Sequence, residues 1–395
     1  MFSDEQIERI LYRYTSRQDE FNLSVLEFIA RRLSNIADFD NLDTLHKEEL
    51  IKKEVIYLQS LHKKYVKDQL KLLEDDLWWV AVVIYLESLK FYENQVDLQN
   101  NKELNEFVTQ SVYDAKKSLF NVIKSPVFVV HDMKNPSKLL SYNFDKAYRT
   151  VVNEALTYSN VSKELQDVAL KRTETQLFDS GVRYMIKNSS DDTTSVKNAN
   201  TSIRFNVLDG VKNLINEMQK IMGKQFGANA VELSAHIYPA PDHAPAQGHQ
   251  FSLEEVEKMQ AGMDFKDLQG NSYVGFERNI GAWNCRHYFM QIKKGSKPQY
   301  TQKELDKILE DNEKGYTDEN GKHWTLYECT QIQRRYEREI RNAKEKYLYG
   351  KALNDKNMMA RSRNAVGRLT TRYKQFSNKC NIPAKLERIR VKDYK

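Results

Sequence analysis

Cysteine is nearly missing from this sequence: there are three in 395 residues. Three thiols cannot build a disulfide framework, and so low a count suits a reducing cytoplasm. Glycine (14) and proline (7) are also scarce, which argues against a sandwich or propeller rich in tight turns. Long apolar runs are lacking too. The longest, Leu77–Leu86, has ten residues, about half of a bilayer span. The N-terminus soon reaches Ser3, Asp4 and Glu5, and with no apolar segment there it predicts no secretory leader.

Aromatic residues, by contrast, are plentiful: 22 Tyr, 17 Phe and 4 Trp, within 40% apolar composition. A disordered chain does not carry so many, so a real core is expected despite 29% charged residues. The length suits one large domain or two to three ordinary ones. Charge is unevenly placed. Residues 331–395 hold 19 Lys/Arg against 6 Asp/Glu, net +13, while residues 1–330 hold 42 against 49, net −7. A basic end of this kind attracts polyanions and gives salt-sensitive nucleic-acid binding. The alternative is a solvated helical face, since Lys and Arg are good helix formers.

The spacing of apolar residues predicts helices over most of the chain. Ser3 with Gln6 resembles a capping box. Val25, Leu26, Ile29 and Leu33 lie on one helical face, as do Ile51, Val55, Leu58 and Leu61. Leu77–Leu86 is apolar all round and reads as a buried helix, with Trp78 and Trp79 in the core; the alternative is a subunit contact. Pro126 interrupts the pattern, and Val127–Val130 suggests a strand. Helices resume over Phe144–Tyr158 and Ser162–Asp179, the latter stopped at Gly181. Asn188–Asn200 reads as a loop or hairpin tip. A long helix through Ile203, Val207, Val211, Ile215, Met218 and Met222 ends at Gly223 and Gly227. Val231–Tyr238 alternates as a strand does. After an irregular stretch, Gln302–Lys314, Leu326–Tyr349 and Asn354–Cys380 read as helices, with a turn at Asn320-Gly321. The expected architecture is mainly α with a small α+β module: a helical N-terminal domain (1–130), an α+β module (131–300) and a basic helical C-terminal region (301–395).

Chemistry gathers in the irregular stretch. Four of eight histidines fall between 236 and 287, and Cys285 lies two residues before His287. His236, His243, Cys285 and His287 are natural ligands for one tetrahedral zinc, which would staple a segment with little core of its own. Asp242 and Asn284 are placed to support such ligands. The alternative is a hydrogen-bonded loop locked by Trp283, Tyr288 and Phe289. A Cys/His nucleophile pair is disfavoured, because Cys285 and His287 lie on alternate residues of one segment. There is no nucleophile elbow, phosphate loop or zincin helix.

Three blocks here resemble the minor capsid protein family of tailed phages of Gram-positive bacteria, a relative of the Mu-type (MuF-like) minor head and head-morphogenesis proteins. The first is Val231-Glu232-Leu233-Ser234-Ala235-His236, continuing through Pro241-Asp242-His243-Ala244 to Gln247-Gly248-His249-Gln250-Phe251-Ser252-Leu253. The second is Asn284-Cys285-Arg286-His287-Tyr288-Phe289, with Gly281 one residue further out than the pattern has it. The third runs from Tyr327 through Gln331-Ile332-Gln333-Arg334-Arg335 to Arg341. Ala246 stands where a Trp is common, and Asn271–Ile280, with Phe276 and Arg278, replaces a Gly-rich stretch. In Mu-type relatives Cys and His residues at the positions of His243, Cys285 and His287 look like a metal cluster; His236 would supply the fourth ligand here.

The resemblance implies a structural virion protein without enzymatic activity. It would sit inside the capsid near the portal, after assembly in the host cytoplasm. Implied partners are the portal protein, the major capsid or scaffold protein and packaged double-stranded DNA, with no membrane. DNA would meet Arg334, Arg335, Arg338, Arg341, Lys344, Arg361, Arg363, Arg368, Arg372 and Lys374. Two competing readings are a metal-dependent nuclease or peptidoglycan hydrolase delivered at ejection, and a plain DNA-binding packaging factor.

Overall fold

A computed structural model describes residues 4–35, 41–92, 100–131, 139–159, 182–187, 194–280 and 285–394. Ser3, the expected helix Ser162–Asp179 with its Gly181 stop, residues 188–193 of the expected loop or tip 188–200, and Gly281, Trp283 and Asn284 lie outside the described residues; the rest of that loop is a strand (Thr194–Asn198) and the start of a helix.

Three long helices come first: α1 (Asp4–Ser34), α2 (Thr44–Tyr92) and α3 (Lys102–Ile123). On α1, Ile7, Ile10, Leu11, Tyr14, Val25, Leu26, Ile29 and Leu33 are buried, steps of three and four that keep one face inward. The Asn101 side chain caps α3 by accepting from the Leu104 N–H. Strands β1 (Pro126–His131), β2 (Leu139–Asn143), β3 (Val182–Lys187) and β4 (Thr194–Asn198) follow, with α4 (Phe144–Ser159) between β2 and β3. They form an antiparallel sheet in the order β2-β1-β3-β4. Next, α5 (Ala199–Gln225) packs against α1, α2 and α3. One continuous core joins these elements, from Ile7 through Phe128, Tyr184 and Leu214 to Tyr349.

A smaller unit follows: β5 (Ala230–Leu233), β6 (Gln250–Ser252), α6 (Leu253–Gln260), β7 (Phe265–Lys266), β8 (Ser272–Tyr273) and β9 (Phe289–Ile292). Its three-stranded sheet runs β6-β5-β9 over a second core containing Leu233, Phe251, Phe265 and Phe276. Gly223 lets α5 lie close to β9, since a Cβ there would fall 2.4 Å from the Gln291 Cβ. Rather than ending the helix, Gly223 is inside it.

The chain closes with α7 (Gln302–Lys314), the hairpin β10 (Tyr316–Thr317) and β11 (His323–Trp324), α8 (Leu326–Ala352), α9 (Lys356–Lys379) and a 3₁₀ turn at Leu386–Ile389. Capping boxes Thr301/Glu304 and Thr325/Glu328 start α7 and α8. Helices α8 and α9 pack as a helical hairpin, and α8 lies along α1. The fold is mainly α with a small α+β module, and 65% of the described residues are helical.

The apolar run departs from expectation. Leu77, Val80, Ala81, Ile84 and Tyr85 are buried, and Trp78 packs against the core. Trp79, Val82 and Leu86, however, are 44%, 41% and 57% exposed. An α-helix that meets neighbours on one side only leaves a strip at steps of three and four facing outward. The all-apolar stretch is therefore half core and half surface, and Trp79 is on the surface.

Candidate functional site

The His/Cys segment lies where β5 ends and β9 begins. The expected strand 231–238 stops at Leu233, and the chain turns through Pro239–Gln247 before β6. This loop carries His243 to Cys285 and His287, which enter β9 from the opposite side. The three ligand atoms lie within 4.8 Å of one another, and all three residues are buried. The Cys285 Sγ is 3.5 Å from the His243 Nδ1 and 3.4 Å from the His287 Nδ1. A tetrahedral zinc with bonds of about 2.3 Å to sulfur and 2.0–2.1 Å to nitrogen would separate such atoms by about 3.5 Å.

Both imidazoles face their Nδ1 atoms toward the sulfur because their other nitrogens are engaged. The His243 Nε2 lies 2.6 Å from the Arg278 carbonyl oxygen. The His287 Nε2 lies 3.4 Å from the Gln247 Oε1, which also accepts from the His236 backbone N–H at 2.9 Å. Nε2–H donation leaves each Nδ1 with a free lone pair, the tautomer a metal ligand requires. Burial, reinforced by His236, His243 and nearby arginines, holds the His287 imidazole neutral, with its pKa well below the usual range. The buried Gln247 Nε2 has no partner among the described residues.

His236 is not in this converging group. Its ring meets His287 edge-on at 4.6 Å, and its Nε2 lies 3.3 Å from the Ser234 Oγ. The structure thus brings together three of the four expected ligands. Of the expected supporting residues, Asp242 holds Arg278 through two contacts of 2.8 Å. That pair fixes the carbonyl on which His243 rests. Phe276 closes the same side, its ring 4.9 Å from the His243 ring. Gly248 has φ +74°, and a Cβ there would lie 2.4 Å from Leu305 Cδ2; only glycine suits the turn that sets Gln247. Arg286 reaches the Tyr238 carbonyl at 3.3 Å. Gln331 lines the small cavity beside the cluster, and Gln333 ties α8 to Ser377 at 2.8 Å.

Lys212 is a residue the sequence reading missed. It is fully buried on α5. Burial lowers its pKa, partly opposed by Cys285 and Asp209. Its place on the stripe Leu208, Lys212, Ile215 was the available signal.

The basic residues separate into two groups. Arg334 is turned inward with Arg204 and Arg388 onto Glu8, at 3.0, 2.7 and 3.1 Å. Burial would raise the Glu8 pKa, but Arg204, Arg334 and Arg388 outweigh it and hold the carboxyl far below the usual range. Arg341 pairs with Asp19 at 3.1 Å, and Lys344 bonds the Ile389 carbonyl at 2.6 Å. Arg335 bridges to Glu339 on its own helix, and Arg338 is exposed. On α9, Arg363 bonds the Tyr347 hydroxyl at 2.8 Å. Arg361, Arg368, Arg372 and Lys374 are exposed.

A mainly helical protein with a buried His/Cys cluster and a basic helical hairpin docked on its first helix is thereby defined. The family model described as phage minor capsid protein 2 matches residues 4–378, and the chain belongs to that family. No curated protein and no solved structure matches it. The family is one of structural phage proteins, and among the described residues no helix is long and apolar enough to cross a membrane.

Proposed function

We propose that this chain is a non-enzymatic structural component of the phage head, carried in a few copies inside the capsid at the portal vertex. Its partners there are the portal protein, the surrounding shell or scaffold and the packaged DNA. The family match over residues 4–378 carries this reading, because it embraces the helical body, the cluster and the basic hairpin together. The exposed strip Trp79, Val82, Leu86 supports a protein partner, and the basic hairpin supports a contact with DNA. Quantitative mass spectrometry and cryo-electron microscopy of purified virions test it. A few copies per head, with density at the portal vertex, is the expected result. Shell-like copy number, or absence from virions, rejects it.

The same reading includes one structural zinc on His243, Cys285 and His287. The supporting observation is the match of sulfur–nitrogen separations to zinc geometry, with both imidazoles in the required tautomer. Three protein ligands with one free position is the pattern of catalytic zinc sites. Space argues otherwise here. The adjoining cavity has about 30 Å³, room for a water or two and not for a nucleotide or sugar. The ion would fasten the 239–247 loop to β9.

A further inference from the structure

We infer that one outward face of α9 is the DNA-contacting surface of this protein, and that α8 contributes little to it. This rests on the reading that the C-terminal region meets packaged DNA, and it names which part does so.

Helix α9 holds seven Lys/Arg and no Asp/Glu between Lys356 and Lys379. Its buried side, with Ser362, Val366, Tyr373 and Ser377, packs toward α8. At about 100° per residue, Arg361, Arg368 and Arg372 fall within about 40° of one another and form one row. Lys356, Arg363 and Lys374 fall within about 20° and form a second row, about 150° from the first. Arg361, Arg368, Arg372, Lys356 and Lys374 are exposed, and none has an ion-pair partner among the described residues. Between the rows runs an exposed line free of acidic and bulky apolar side chains: Asn357, Ala360, Asn364, Gly367, Thr371 and Gln375.

The charge pattern fits double-stranded DNA. A helix of about 10–12 Å enters a major groove about 12 Å wide, and two flanking cationic rows then face the phosphates on both walls. Gly367 is consistent with that approach. A Cβ there would meet nothing within 4 Å, so the fold does not require glycine at this mid-helix position, where glycine is unfavourable. A surface pressed against the helix would require it. An acidic protein partner would also be attracted by the rows, but a groove with charged walls on both sides matches their separation.

Most of the expected α8 cations are engaged elsewhere, Arg338 being exposed. Arg334 and Arg341 serve Glu8 and Asp19, Lys344 serves a carbonyl, and Arg335 serves Glu339. Moving any of the first three to DNA would strand a buried partner.

Full-length protein and a fluorescent 30-base-pair duplex provide the test, with binding followed by anisotropy across a salt series. The variants are the triple Arg361→Gln/Arg368→Gln/Arg372→Gln, Gly367→Gln, and Arg335→Gln/Arg338→Gln as the α8 comparison. For the triple variant, the slope of log affinity against log salt should fall by about 2.7, at about 0.9 per lost phosphate contact. Gly367→Gln should weaken binding several-fold with an unchanged or raised melting temperature. The α8 pair should change the slope by less than one. Loss confined to the α8 pair would overturn the inference while leaving DNA contact standing. A wild-type protein that does not bind the duplex would overturn both. Wild-type DNA affinity in the triple variant, with loss from assembled heads, would assign this face to a protein partner instead.

Discussion

Replacing Glu8 by Gln isolates the charge at the centre of the node joining α1, α5 and the C-terminal segment. Three guanidiniums, of Arg204, Arg334 and Arg388, converge on this one carboxylate, whose side chain is 9% exposed. Glutamine keeps the shape and one acceptor oxygen but removes the charge. Breaking a buried ion pair from one side costs about 3–5 kcal/mol, because the remaining charges stay desolvated. Unfolding entropy of about 2.1 cal/mol/K per residue gives about 0.8 kcal/mol/K for a chain of this size, so the melting temperature should fall by about 4–6 °C if unfolding is one transition. The pH dependence gives a second readout. The Glu8 pKa is lowered in the folded state, so its contribution is complete above the unfolded value of about 4.3 and is lost as pH falls from there toward the folded value. The variant has no such group. The stability gap should therefore be full at pH 7 and shrink steadily below about pH 4.5. Circular dichroism melts from pH 7 to pH 3 measure it. A variant melting within 1 °C of wild type at pH 7, or a gap that stays constant into acid, would refute the reasoning.

Purified protein should carry about one zinc per chain, and Cys285→Ser should lose it and expose the 239–247 loop to protease while sparing the N-terminal helices; metal retained at full occupancy in the variant would exclude Cys285 as a ligand. Trp79→Ala should cost no more than about 0.5 kcal/mol of monomer stability, as exposed substitutions do, whereas Leu77→Ala should cost about 2–5 kcal/mol; equal losses in chemical denaturation would return Trp79 to the core. Gly248→Ala should cost about 1–3 kcal/mol, from the positive φ and the clash with Leu305, and should weaken zinc retention by displacing Gln247; denaturant melts and metal titration check both.

The helices were legible wherever a one-sided apolar stripe coincided with a stop signal. Gln302–Lys314 was read with its bounds unchanged, and α8 and α9 within a few residues. The convergence of His243, Cys285 and His287 was legible because histidine and cysteine are rare here and cluster in sequence. Of its supports, only Asp242 was legible. Arg278 lies 35 residues from His243, and its contribution is a backbone carbonyl, which no residue type announces. His236 illustrates the opposite limit: the right residue type near the right place, carried aside because the chain turns after Leu233. Charge was legible as a sum but not as a direction. Arg334 and Arg335 are neighbours, yet about 100° of helix rotation separates a guanidinium buried on Glu8 from one facing solvent. Leu77–Leu86 misled for a related reason, since an apolar segment does not reveal on how many sides it has neighbours.

The contact between Arg388 and Glu8 joins positions 380 residues apart. Synthesis runs from Glu8 toward Arg388, so this carboxylate waits through 380 residues of elongation for its third cation. Arg204 and then Arg334 arrive before it. The preceding helices can form while the chain is emerging, but their charged seam closes fully only once Arg388 has been added. A chain cut just before Arg388 keeps helices α1 to α9 and two of the three cations on Glu8, and lacks the third. The order of synthesis thereby sets the order in which the seam's cations reach Glu8.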